Sequence, residues 1–112
     1  MGRFVKGDVV VLPFPFSDLS SSKRRPALVI ANASGNEVIL AQITSQSFQD
    51  RHAIEIAQED FSSGGLNLIS NVRPNKLFTA DENIIAYSAG NLNDHAIRTV
   101  VDKIVSIISE NG

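Results

Sequence analysis

No cysteine occurs anywhere in the 112 residues. Disulfides and thiolate-bound metals are thereby excluded, and a reducing compartment, the cytoplasm, is the expected setting. Histidine is nearly as scarce. His52 and His95 are the only two, and they stand too far apart to show a ligand spacing. No apolar run approaches the ~20 residues that span a bilayer, so no membrane association is expected. The opening MGRFVKGDVVV has neither the apolar core nor the small-residue cleavage site of a secretory signal. Lys6 stands where a myristoylation signal carries serine or threonine. Also missing are a glycine-rich phosphate loop ending in Lys-Ser or Lys-Thr and a nucleophile–base pair at a readable spacing. A net charge of −2 lacks the positive excess of a general nucleic-acid binder. Any polyanion site must therefore be a local patch.

What is present fits one domain over residues 1–112. The hydrophobic share of 43% and charged share of 20% are an ordinary globular balance. A chain of ~100 residues buries roughly two-thirds of its unfolded surface, enough for a modest core. DVVVLPF (8–14) is rich in β-branched residues and reads as a strand, with Pro13 and Pro15 marking its end or an edge. PALVIANA (26–33) and EVILAQITSQ (37–46) read as a hairpin around the glycine-containing turn SGNE. AIEI (53–56) is a short alternating strand, SSGGLN a flexible loop, and SNVRPNKLFTA an extended segment broken by proline. IIAYSAGNL suggests one more short strand. From LNDHAIRTVVDKIVSIISENG the spacing of Ile97, Val100, Val101, Ile104, Ile107 and Ile108 predicts a helix. Asn93 or Asp94 can cap its start, and Asn111-Gly112 can end it. Short strands with one packing helix point to a strongly bent sheet or partly closed barrel.

Three segments carry candidate chemistry. Lys23, Arg24 and Arg25 stand in a row before Pro26, where a polar loop is expected to run into a buried strand. Such a triplet is either a solvated loop end or an anion site, since guanidinium forks match phosphate oxygens. In QITSQ, strand alternation puts Gln42 and Thr44 on one face. In SNVRPNKLFTAD, Arg73 and Lys76 add two cations beside Pro74. No histidine lies in these three segments, and their acids, Asp18 and Asp81, have no cationic partner at a fixed spacing.

Taken in order, KGDVVVLPFPFSDLSSSKRRPALVIAN, ILAQITSQ and VRPNKLFTAD, followed by the helix, resemble the PemK/MazF family of toxins from type II toxin–antitoxin systems. The resemblance covers nearly the whole chain. It implies a mainly β, SH3-like small barrel with a C-terminal helix, a homodimer, and a cognate antitoxin whose peptide covers the active groove. It also implies a sequence-specific, metal-independent endoribonuclease that needs no cofactor. Such an enzyme cuts single-stranded RNA to 2′,3′-cyclic phosphate and 5′-hydroxyl ends.

By position, Arg25 matches the arginine of the family's Arg-Pro motif and Thr44 the threonine of its Ile-Thr motif, both implicated in cleavage. Arg73 matches an arginine assigned as an acid in one branch. That branch has an aspartate where this chain has Asn75, and a histidine in the first loop, where this chain has serines and Asp18. With Arg25, Thr44 and Arg73 as the catalytic set, Lys23, Arg24, Gln42, Gln46, Asn75 and Lys76 are the expected RNA contacts, with Phe16 stacking on a base. The alternative is a non-catalytic module of the same fold that binds an antitoxin, nucleic acid or, through its C-terminal helix, gyrase.

Overall fold

The computed structural model describes residues 3–14, 23–45 and 50–110. Among the described residues seven strands form: Asp8–Phe14 (β1), Lys23–Asn32 (β2), Glu37–Thr44 (β3), Ile54–Ile56 (β4), Phe61–Gly64 (β5), Ser70–Asp81 (β6) and Tyr87–Leu92 (β7). A single α-helix among the described residues, Asp94–Ser109 (α1), follows β7. The strands make one sheet in the order β4-β6-β3-β2-β1-β7-β5, with every neighbouring pair antiparallel. Its two edges, β4 and β5, are consecutive in sequence and joined only by residues 57–60, which include a short 3-10 turn. A flat seven-stranded sheet would be roughly 29 Å wide at ~4.8 Å per strand, far beyond the reach of that link. The sheet therefore curls, and the expected mainly β, bent architecture with a C-terminal helix is observed.

Strict alternation in the central strands supplies apolar groups to both faces. Val9, Leu28, Ala41, Ile43 and Val72 face one cluster, which α1 completes with Ala96, Val100 and Ile104. Val10, Leu12, Ala27, Val29 and Leu40 face a second cluster, covered by Ile85 and the partly buried Phe4. Arg3 pins that cover. Its amide donates to Glu82 Oε2 at 2.9 Å and its guanidinium to the Glu82 carbonyl at 3.2 Å. The helix begins at Asn93, whose Oδ1 accepts from the Ala96 amide at 2.9 Å, a cap worth ~1 kcal/mol. Gly7 has φ +97°, and a Cβ there would collide with the Ile97 side chain. The glycine of the Gly7-Asp8 pair is thus fixed by where α1 docks.

Three expectations shift. The β2–β3 turn forms as read, with Gly35 at φ +63°, but β2 starts at Lys23 and not at Pro26. The cation row is consequently strand, not loop: Leu12 pairs with Arg25, Pro13 with Arg24 and Phe14 with Lys23. Pro26 lies inside β2, opposite Val11, at a point beyond the last β2–β3 pair, Ala27↔Gln42, so its missing amide interrupts none of the β2–β3 pairs. Second, Phe61–Gly64 form β5 against β7, although Ser62–Gly64 fall in the segment SSGGLN expected as a loop. Gly64, at φ +68°, is what permits this, because a Cβ there would strike the Ala89 carbonyl. Third, Ile108 was placed on the helix's apolar face, yet it is 72% exposed. The helix end anticipated at Asn111-Gly112 lies outside the described residues.

Candidate active site

The site is built where β2, β3 and β6 run side by side. Gln42 stands directly opposite Ala27 on one side and Arg73 on the other. Thr44 stands opposite Asn71, and continuing the β2–β3 register sets Arg25 level with Thr44. Residues opposite one another share a face, so Arg25, Thr44, Gln42 and Arg73 occupy two adjacent rows of one face. Arg25 and Arg73 flank β3, with α-carbons on the order of 12 Å apart by strand and residue spacing.

Two clefts open at this end. One, about 380 Å³, is lined by Gln42, Arg73, Lys76, Leu77 and Phe78. The other, about 260 Å³, takes Arg24, Arg25, Thr44, Ser45 and Ser70 on one side and the Leu66–Leu68 segment on the other. Consecutive residues of β3 therefore divide between them. Thr44 is buried, at 6% exposure, while Lys23, Arg24 and Arg25 are exposed. Alternation turns Lys23 and Arg25 to one face and Arg24 to the other, yet at this end of β2 both Arg24 and Arg25 line the smaller cleft.

Between Arg73 and Leu77 the β6 ladder breaks. Ala41 pairs with Leu77 and the next residue, Gln42, with Arg73, which leaves Pro74, Asn75 and Lys76 as a bulge. Pro74 brings no amide to the ladder, which is the physical reason for the interruption. Pro74 is buried, whereas Asn75 and Lys76 are exposed. Lys76 reaches the larger cleft; Asn75 does not line it. Phe16 and Gln46 lie outside the described residues, as does Asp18.

Sequence reasoning missed Asp50. Its Oδ2 accepts from Arg73 Nε at 2.9 Å, and its Oδ1 accepts from the His52 amide at 3.0 Å. Both side chains of the pair are well covered, 18% exposed for Arg73 and 7% for Asp50. The His52 amide and the Arg73 guanidinium hold the Asp50 carboxyl below the ordinary carboxylate range, against the opposite pull of burial. His52 Nδ1 is buried beside this pair without a hydrogen-bond partner among the described residues. Asp50 and Arg73 are 23 residues apart, and only the β4–β6 register, Ile54↔Val72, brings the residues ahead of β4 up to Arg73. The Leu66–Leu68 wall, with Leu68 65% exposed, was likewise not singled out.

With this geometry in hand, the comparisons assign a class. Residues 5–108 match the model of the PemK-like, MazF-like toxins of type II toxin–antitoxin systems, and the chain belongs to that family. Its fold is that of an endoribonuclease bound to its cognate antitoxin from a mycobacterial species, at TM-score 0.76 and 10% identity over 98% of this chain and 99% of that one. Similar too is MazF in the MazE–MazF complex of Deinococcus radiodurans, at TM-score 0.74 and 17% identity over 96% and 98%. The toxin MazF-mt6 of Mycobacterium tuberculosis matches at TM-score 0.71 and 16% identity over 94% and 99%. Among curated proteins the chain has no match.

Proposed function

We propose that this toxin is a sequence-specific endoribonuclease that cleaves single-stranded RNA without a metal ion. The carrying observation is the shared face of Arg25, Thr44, Gln42 and Arg73, with arginines on both sides of β3. The nucleophile is in the substrate: a ribose 2′-oxygen attacks the adjacent phosphorus, and the bond from phosphorus to O5′ breaks. The 2′-hydroxyl proton leaves to solvent or a base, and O5′ takes up a proton. The products are a 2′,3′-cyclic phosphate and a 5′-hydroxyl. The protein's share is to hold the in-line geometry and to stabilise charge that builds on the phosphoryl oxygens. Arg25 stabilises that charge. A guanidinium is a poor proton donor near neutral pH, so its role is electrostatic. Thr44 donates to a phosphate oxygen or to the leaving group, and Arg73 supports the neighbouring phosphate. Lys23, Arg24, Gln42 and Lys76 bind the flanking chain, with Phe16, Gln46 and Asn75 as further contacts.

In this reading the protein acts in the cytoplasm as a homodimer and is silenced by an antitoxin segment laid over the cationic face. The neighbours solved with antitoxins support such a partner. A helix-borne, non-catalytic alternative draws on Val105 and Ile108, which leave an exposed apolar strip on α1. Incubating the purified protein with a long RNA in EDTA separates the two. Discrete fragments with cyclic phosphate ends are expected; intact RNA would overturn the ribonuclease reading.

A further inference from the structure

Arg73 is placed where its own strand supports it least. It is the last β6 residue in register before the Pro74–Lys76 bulge, and its side chain must cross to the Gln42 cleft. A free arginine side chain turns about four bonds, and an unoriented guanidinium loses much of the advantage of a fixed fork of donors. Asp50 removes that freedom. One carboxylate oxygen holds Nε, and the other is held by the His52 amide, so the carboxylate is itself anchored to backbone. We propose that Asp50 is a positioning residue of the site: by holding Arg73 Nε it sets the plane of the guanidinium before RNA arrives. The inference rests on the ribonuclease reading above.

A general-base role for Asp50 fits less well. Both its oxygens already accept hydrogen bonds, and its carboxyl is held below the ordinary range, so it is a weak proton acceptor. Among the described residues, the groups facing the pair on neighbouring elements are His52, whose Nδ1 is buried, and Lys76, which lines the cleft with Gln42. Neither is an acid that would compete for Arg73. Asn75, two residues on, is exposed and offers an amide in place of a carboxylate. Among the described residues, the carboxylate that meets Arg73 thus comes from the segment before β4 and not from the bulge.

The test is a double-mutant cycle on single-turnover cleavage of a defined RNA oligonucleotide, using wild type, Asp50→Asn, Arg73→Ala and the double variant. Asp50→Asn is expected to lower kcat about 10-fold with KM changed less than about 2-fold, and to cost nothing further in the Arg73→Ala background. Equal losses in both backgrounds, or none in either, would overturn the positioning role. Thermal melting checks each variant, and Asp50→Glu, which keeps the charge and moves it one methylene, runs the same cycle if Asp50→Asn does not fold. NMR of the Arg73 Nε–H resonance gives a readout that needs no activity. It is expected to exchange slowly with solvent in wild type and fast in Asp50→Asn; fast exchange in both overturns the pairing. Wild-type protein that leaves RNA intact would instead sink the ribonuclease reading, and the resonance would still report whether Asp50 holds the guanidinium.

Discussion

Arg25 and Arg73 flank the same strand, yet they are held in different ways. Arg25 stands exposed on β2, and neither it nor Arg24 has an ion-pair partner among the described residues. Arg73 is mostly covered and bonded through Nε to a buried carboxylate. An exposed cation keeps its full charge for an incoming phosphate, and its attraction is long-ranged but screened by salt. A tethered one gives up part of its field to the tether and gains a fixed direction. One half of the site is thus suited to meeting charge that develops during reaction, the other to holding a chain in place.

The sharpest way to break this contrast is Arg25→Ala. The cleavage rate at saturating RNA is expected to fall on the order of 100-fold, with a smaller loss of affinity. Single-turnover cleavage beside a separate binding titration measures both, and an unchanged rate would remove Arg25 from the reaction. The tethered half has a pH signature. Because the folded Asp50 pKa is depressed, the pair's contribution to stability is whole above the ordinary value of 3.8 and is lost as pH falls through the lower folded value. Wild type is expected to melt about 5 °C above Asp50→Asn at neutral pH, the gap closing in strong acid. A gap that persists at the lowest pH would mean that packing, not charge, is responsible.

Smaller still is the effect of Lys23→Ala, on the same face as Arg25 and one row further out. RNA affinity should drop a few-fold, and the slope of log affinity against log salt should shrink by about 0.7, the value for one phosphate contact on a single strand. Filter binding across a salt series reads it, and an identical slope would place Lys23 outside the interface. Least of all should Asn75→Asp matter. Position 75 is exposed on the bulge and Arg73 Nε is already taken, so the rate is expected to stay within about 2-fold. A clear rise with a new acidic limb in the pH profile would show that the bulge, and not Asp50, governs Arg73.

Features that repeat along the chain were legible in the sequence. The 3.6-residue period and Asn93 gave α1 and its cap, and the β-branched run 8–14 gave β1 to the residue. Thr44 and Gln42 could be put on one face from alternation alone. Features that depend on pairing were not legible. The cation row looked like loop because proline usually opens a strand; its place in β2 depends on β1 lying alongside. Ser62–Gly64 looked like loop because serine and glycine make up the segment, and only the close approach of β7 makes it part of a strand. Asp50 was invisible for the same reason: nothing within the sequence of residues 46–53 tells which strand β4 will join.

The order in which the chain is made gives this topology a last consequence. Arg25, Thr44, Asp50 and Arg73 all precede residue 82. By contrast β1 lacks one of its two neighbours until β7 is complete, and the helix-side cluster lacks Leu92, Ala96, Val100 and Ile104 until α1 is. During synthesis the site residues leave the ribosome first and the elements that bury their scaffold leave last. A chain cut short before α1 therefore carries every proposed reactive group but lacks the side chains that complete the helix-side cluster.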